Sequence, residues 1–127
     1  MYVDSSAVVK LILQEDESAA LHEFLAKYPV SYSSSLTVVE VTRAVLRHAP
    51  ELLSDAQNVL RELTLLGMDE EVLSRAAHVA PVTLRTLDAI HVASALELGI
   101  ELEILVTYDQ RMADAAGNLG ITAASPR

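Results

Sequence analysis

The sequence has no cysteine. That excludes disulfides, a thiol nucleophile and any thiolate metal site, and it is compatible with a reducing cytoplasm. Lysine is nearly missing as well, present only as Lys10 and Lys27. Nine lysines and arginines stand against eighteen acids, a formal net charge of −9. A chain of that sign repels polyanions at long range, which argues against a module that simply coats nucleic acid. Basic partners and bound cations suit it better. A nuclease stays open only where metal ions and a local basic patch overcome the field. No window approaches the roughly 18–20 uncharged apolar residues that span a bilayer. The opening MYVDSSAVVKLILQEDE lacks a basic leader, and charges interrupt its apolar run, so it does not read as a signal peptide. Repeats and low-complexity tracts are absent too. The composition therefore predicts a soluble, cytoplasmic protein without a membrane segment.

What is present is a chain of 127 residues, 51% of them apolar, enough for one compact domain with its own core. Strand-like and helix-like segments alternate along it. MYV opens as a short strand, and SSAVVKLILQ follows as a helix that Ser5 or Ser6 can cap. DESAALHEFLAKY carries Ala20, Leu21, Phe24 and Leu25 on one helical face. VSYS, 30–33, reads as a strand, and LTVVEVTRAVLRH as a helix running to Pro50. A further helix is expected over 51–66, stopped by Gly67, and another in EEVLSRAAHVA. TLDAIHVASALELG reads as a buried helix, with Thr86 as its cap and Gly99 closing it. EILVT, 103–107, is a β-branched strand, followed by a short helix in RMADAAGN and a last strand in ITAA. Strands separated by helices imply parallel pairing through right-handed crossovers. One α/β domain over 1–127 is predicted, with a mainly parallel sheet between two helical layers.

Four acids sit where a strand has just ended or a helix has just begun: Asp4, Glu40, Asp88 and Asp109. In an open parallel sheet such points gather at the carboxyl edge. Each has an ordinary structural explanation. Asp4, Asp88 and Asp109 can cap or start helices, and Thr37 to Glu40 fits a capping box. Taken together they are harder to dismiss. Like charges within a few ångströms demand a proton or a cation between them. Oxygen-only ligands are the set that Mg²⁺ or Mn²⁺ prefers. Asp88, in the first turn of an otherwise apolar helix, is therefore expected to face a hard cation. His91 reads as a hydrogen-bonded, semi-buried histidine rather than a ligand. Arg43 and Arg47 follow Glu40 on its helical face, either as ion-pair partners or as contacts to phosphates.

The order Asp4, Glu40, Asp88, Asp109 resembles the acidic residues of the PIN domain. The phrases VDSSAVVKL, SSLTVVEVTRAV, TLDAIHVASALELG and LVTYDQRM are similar to ribonuclease toxins of the VapC type, across essentially the whole chain. That resemblance implies a PIN-like three-layer α/β/α sandwich. It implies an endoribonuclease that uses Mg²⁺ or Mn²⁺ to activate water against RNA phosphodiester bonds, as the toxin of a toxin–antitoxin pair. Asp4, Glu40, Asp88 and Asp109 would be catalytic and metal-binding, with Ser6 and Thr107 supporting them by hydrogen bonds. The implied partners are an RNA substrate, a cognate antitoxin with a basic C-terminal segment, and a second copy in a homodimer. The alternative is a catalytically silent PIN-like module that engages a basic partner peptide. Two other acidic-pocket folds fit worse. A receiver-type phosphoacceptor needs a lysine after a late strand, and none occurs after Lys27. A haloacid-dehalogenase-type phosphatase needs D-x-D after its first strand, whereas Ser5 and Ser6 follow Asp4.

Overall fold

A computed structural model describes all 127 residues. Five strands, β1 (Tyr2–Val3), β2 (Tyr32–Ser34), β3 (Thr64–Leu66), β4 (Leu105–Val106) and β5 (Ala123–Ala124), form one sheet in the order β3-β2-β1-β4-β5. Every pairing is parallel. Seven helices connect them: α1 (Ser5–Leu13), α2 (Ser18–Leu25), α3 (Leu36–His48), α4 (Leu53–Arg61), α5 (Glu70–His78), α6 (Thr86–Leu96) and α7 (Gln110–Asn118).

The two residues of β1 show how the layers arise. Successive strand side chains point to opposite faces. Tyr2 packs with Val92, Ala95, Leu105, Met112 and Ala116, on the α5, α6 and α7 side. Val3 packs with Val8, Val41, Val45, Leu60 and Val106, on the side of α1, α3 and α4. The register sets Tyr2 beside Leu105 and Val3 beside Val106, so β4 divides its side chains the same way. Each such fully buried aliphatic contributes roughly 1.5–3 kcal/mol. Two apolar clusters, one on each face, make the sandwich three-layered.

The helix expected over 51–66 divides. Pro50–Leu52 forms a 3₁₀ turn, α4 ends at Arg61, and Thr64–Leu66 pairs with β2 as an edge strand. Its first two residues are exposed, so neither alternation nor burial marks it locally. Pairing with Tyr32, Ser33 and Ser34 decides its state. Four caps also differ from expectation. Ser5 and Ser6 lie inside α1, whose N-cap is Asp4, accepting from the Ala7 N–H. Arg85, not Thr86, occupies the N-cap of α6, and Ser35 that of α3. Thr37 therefore lies inside α3, where no capping box forms. Gly99 is left-handed at φ +53, but it opens a 3₁₀ turn two residues beyond the C-cap Glu97. No helix is long and apolar enough to cross a membrane.

Candidate active site

The strand order reverses at β1, with β2 and β3 on one side and β4 and β5 on the other. In an open parallel sheet the crevice forms beyond the carboxyl ends of the strands at such a reversal. Asp4 follows β1 there, and Thr107 follows β4.

Asp4 is buried, and three donors hold it. Its Oδ1 accepts from Ser6 Oγ at 2.6 Å and from the Ala7 N–H at 3.0 Å, and its Oδ2 from Thr107 Oγ1 at 2.6 Å. Asp4 is thus also the N-cap of α1. Ser6 Oγ in turn accepts from the Tyr108 N–H, and Thr107 Oγ1 from the Asp109 N–H. A carboxylate offers about four acceptor sites, so Oδ2 keeps one for a further partner. Burial pushes the Asp4 carboxyl above its ordinary range, against the three hydrogen bonds.

Glu40 lies one turn into α3. Its Oε1 accepts from Ser5 Oγ at 2.7 Å and is paired with His91 Nε2 at 2.6 Å. Burial pushes its carboxyl up, but the hydrogen bonds from His91 and Ser5 outweigh that and hold it below the usual range. Oε2 carries no hydrogen bond from the protein. Arg43 and Arg47 are exposed on the same helix, and neither pairs with Glu40.

Asp88 enters from the first turn of α6, and Asp109 caps α7 with Oδ1, accepting from the Arg111 and Met112 N–H groups. Arg85 stands between them, Nε 3.9 Å from Asp88 Oδ2 and Nη2 3.9 Å from Asp109 Oδ2. Those separations are charge contacts, not hydrogen bonds. Burial raises the Asp88 carboxyl above its ordinary range, and the charge of Asp109 raises it further.

Whether this donor set fits a divalent cation can be tested on one atom. Asp88 Oδ2 is buried and has no hydrogen-bond partner. Leaving such an acceptor unsatisfied costs about 1–3 kcal/mol, and more when it is charged. A hard cation is the partner that an all-oxygen set suits. No three acidic or histidine side chains converge closely enough to enclose an ion by themselves. Mg²⁺ tolerates that openness, because it keeps several waters and takes one or two carboxylates plus substrate phosphate. The residues fit.

Two features escaped the sequence reading. Arg85 precedes the recognised helix and had no periodic partner to single it out. The contact of His91 with Glu40 joins residues 51 apart in the chain, beyond any local spacing rule.

The PIN-domain family model matches residues 1–118. The chain belongs to the PIN-domain family. This PIN domain is 44% identical over 126 residues to "Ribonuclease VapC46" of Mycobacterium tuberculosis, covering 99% of this chain and 97% of that one. It is 36% identical over 131 residues to "Ribonuclease VapC47" of the same species, covering 99% and 96%. Such identity over full length places it among the VapC-type PIN domains. A solved "Toxin-antitoxin complex from Klebsiella pneumoniae" shares the fold, with a TM-score of 0.74, 18% identity and coverage of 99% and 97%.

Proposed function

We propose that this PIN domain is a Mg²⁺- or Mn²⁺-dependent endoribonuclease acting as the toxin of a toxin–antitoxin pair. The observation that carries the reading is the buried Asp88 Oδ2, which accepts no hydrogen bond and has only the Arg85 charge contact at 3.9 Å, among acids at the strand reversal. The ribonuclease relatives and the toxin–antitoxin neighbour support it.

In this reading Asp4, Asp88 and Asp109 hold the ion, directly or through water. Asp4 and Asp109 use part of their carboxylates as helix caps and offer the rest, while Asp88 Oδ2 spends none on a hydrogen bond. The chemistry a divalent cation supplies there is acidification of water and neutralisation of charge on phosphate. Glu40 serves as a further ligand or, through the free Oε2, as acceptor for the attacking water, which it orients in line with phosphorus. Ser6 and Thr107 fix Asp4, so that little reorganisation accompanies the reaction. Arg85 is the cation placed to meet the phosphate, and Arg43 and Arg47 extend a basic track along α3.

The partner follows from charge. A protein of net charge −9 with an acidic crevice suits a basic peptide, because an arginine guanidinium pairs bidentately with carboxylates. The cognate antitoxin is assigned a basic C-terminal segment lying along an apolar groove between α3 and α4, and Val39 and Leu46 of α3 are exposed. Its cation would approach Asp4, Glu40 and Asp88. A homodimer is the assembly proposed for the toxin.

The purified protein is expected to cut structured RNA with Mg²⁺ or Mn²⁺ and to stop when the ion is chelated. Cleavage that persists in chelator would remove the metal from the mechanism. RNA bound but uncut at saturating metal would favour the silent binding module.

A further inference from the structure

Behind Glu40 runs a chain of buried polar groups to which the mechanism above gives no part. The Ser34 N–H donates to the Tyr2 hydroxyl at 3.1 Å. That hydroxyl lies 2.8 Å from His91 Nδ1, and His91 Nε2 lies 2.6 Å from Glu40 Oε1. Tyr2 is 0% exposed and His91 1%. Burying a phenol and an imidazole in an apolar layer is costly unless each finds partners. Here each does, and the links join β1, β2, α3 and α6.

The proton count sets the direction of the chain. A phenol has one proton. The Glu40 carboxylate can only accept, so the His91 ring proton that meets it sits on Nε2; in that tautomer Nδ1 accepts from the Tyr2 hydroxyl, whose oxygen takes the Ser34 N–H. Burial, with the nearby charge of Asp4, pushes the Tyr2 phenol far up and keeps it protonated. Ser5 supplies a second donor to the same Oε1. One oxygen of Glu40 is therefore held twice from within, and the other is left to the crevice.

We infer that His91, oriented by Tyr2, is a positioning residue for Glu40: it anchors Oε1 and so aims Oε2 at the attacking water. His91 also follows Asp88 by three residues on α6, so the same helix that carries Asp88 sets where Glu40 of α3 can stand. The inference rests on the ribonuclease reading for its consequence and on the hydrogen-bond geometry for its existence. The two are tested separately.

Histidine-selective ¹⁵N NMR of the full chain reads the geometry without RNA. His91 is expected as the Nε2–H tautomer, with signals that move in Tyr2→Phe and in Glu40→Gln but not in Asp109→Asn. An Nδ1–H tautomer, or no response to Glu40→Gln, overturns the inference. Cleavage kinetics read the consequence. His91→Leu is expected to lower kcat on the order of 10–100-fold, as for other lost supports of site carboxylates, with KM for RNA little changed. His91→Gln restores an amide donor toward Glu40 and should recover most of that loss. Tyr2→Phe, which keeps the ring and its packing, should show a smaller fall in kcat. On a Glu40→Gln background His91→Leu should add almost nothing, because both changes remove one function. If the two losses multiply, or if His91→Gln is as impaired as His91→Leu, His91 does not act through Glu40. If the parent protein cuts no RNA with metal present, the ribonuclease reading fails, and the NMR result still decides the chain.

Discussion

Asp4→Asn and Asp88→Asn are each expected to lower metal-dependent RNA cleavage by at least ~10²-fold, the range for lost electrostatic catalytic groups. Both substitutions preserve shape and remove one charge. In Asp4→Asn the amide oxygen can still cap α1 by accepting from the Ala7 N–H. Ser6 can go on donating to that same oxygen, and the Thr107 hydroxyl can rotate to accept from the NH₂ group. The fold should therefore survive, and the loss should fall on kcat. Asp88 has no hydrogen bond to lose at Oδ2, so its replacement tests the charge alone. Circular dichroism would establish folding, and single-turnover cleavage of a structured RNA over a Mn²⁺ series would measure the effect. Full activity in either variant, with unchanged metal dependence, would sink the site assignment.

Asp88→Asn should also raise the melting temperature of the metal-free protein. Asp88 has a carboxyl raised by burial and then by Asp109, with Arg85 opposing. A raised acid penalises the folded state while ionised. The penalty is fully present above the folded pKa and is relieved as pH falls through it toward the unfolded value of 3.8. Asp4 contributes in the same sense. Glu40 works oppositely: its lowered carboxyl stabilises the fold above its unfolded value of 4.5, and that stabilisation is lost as pH falls through the folded value. As pH falls from neutral toward the unfolded carboxyl values, the two raised acids take up protons before the lowered Glu40 does. In chelator the parent should gain stability over that interval, and Asp88→Asn should gain less. An offset of ~1 kcal/mol corresponds to about 3–5 °C for a chain of this length. Added Mg²⁺ should then stabilise the parent by mass action and the variant much less. Thermal melts with and without metal would show both effects. Equal stabilisation of the two proteins by Mg²⁺ would mean that Asp88 does not hold the ion.

Several elements were legible from short stretches because their determinants are local. MYV, EILVT and ITAA are β-branched or apolar runs, the first two followed closely by helix caps, and each contains a strand of the sheet. The apolar run of α6 is buried from Ala89 through Ala95, as its composition demands. Asp4 and Asp109 cap α1 and α7 while also standing at the crevice. Capping and site geometry are therefore not competing explanations, since capping leaves part of each carboxylate free. The Thr37–Glu40 pattern misled for the opposite reason. It matches a capping box in sequence, but α3 begins before Thr37, whose hydroxyl bonds Ser33 at 2.7 Å.

Sequence by itself determined the alternation that yields a parallel sheet between helical layers, the lack of thiol chemistry, and Asp4, Asp88 and Asp109 at element ends, whereas Glu40 stands one turn inside α3. Those depend on neighbours within a turn or two, where periodicity and composition act. Tertiary structure alone decided that Thr64–Leu66 is a strand, because only β2 can satisfy its backbone once the chain has returned beside it. It also decided that Arg85 stands between Asp88 and Asp109, and that His91 joins Tyr2, 89 residues away, to Glu40. Contacts across such separations form only when packing has already bought the loss of chain entropy, so no local pattern encodes them.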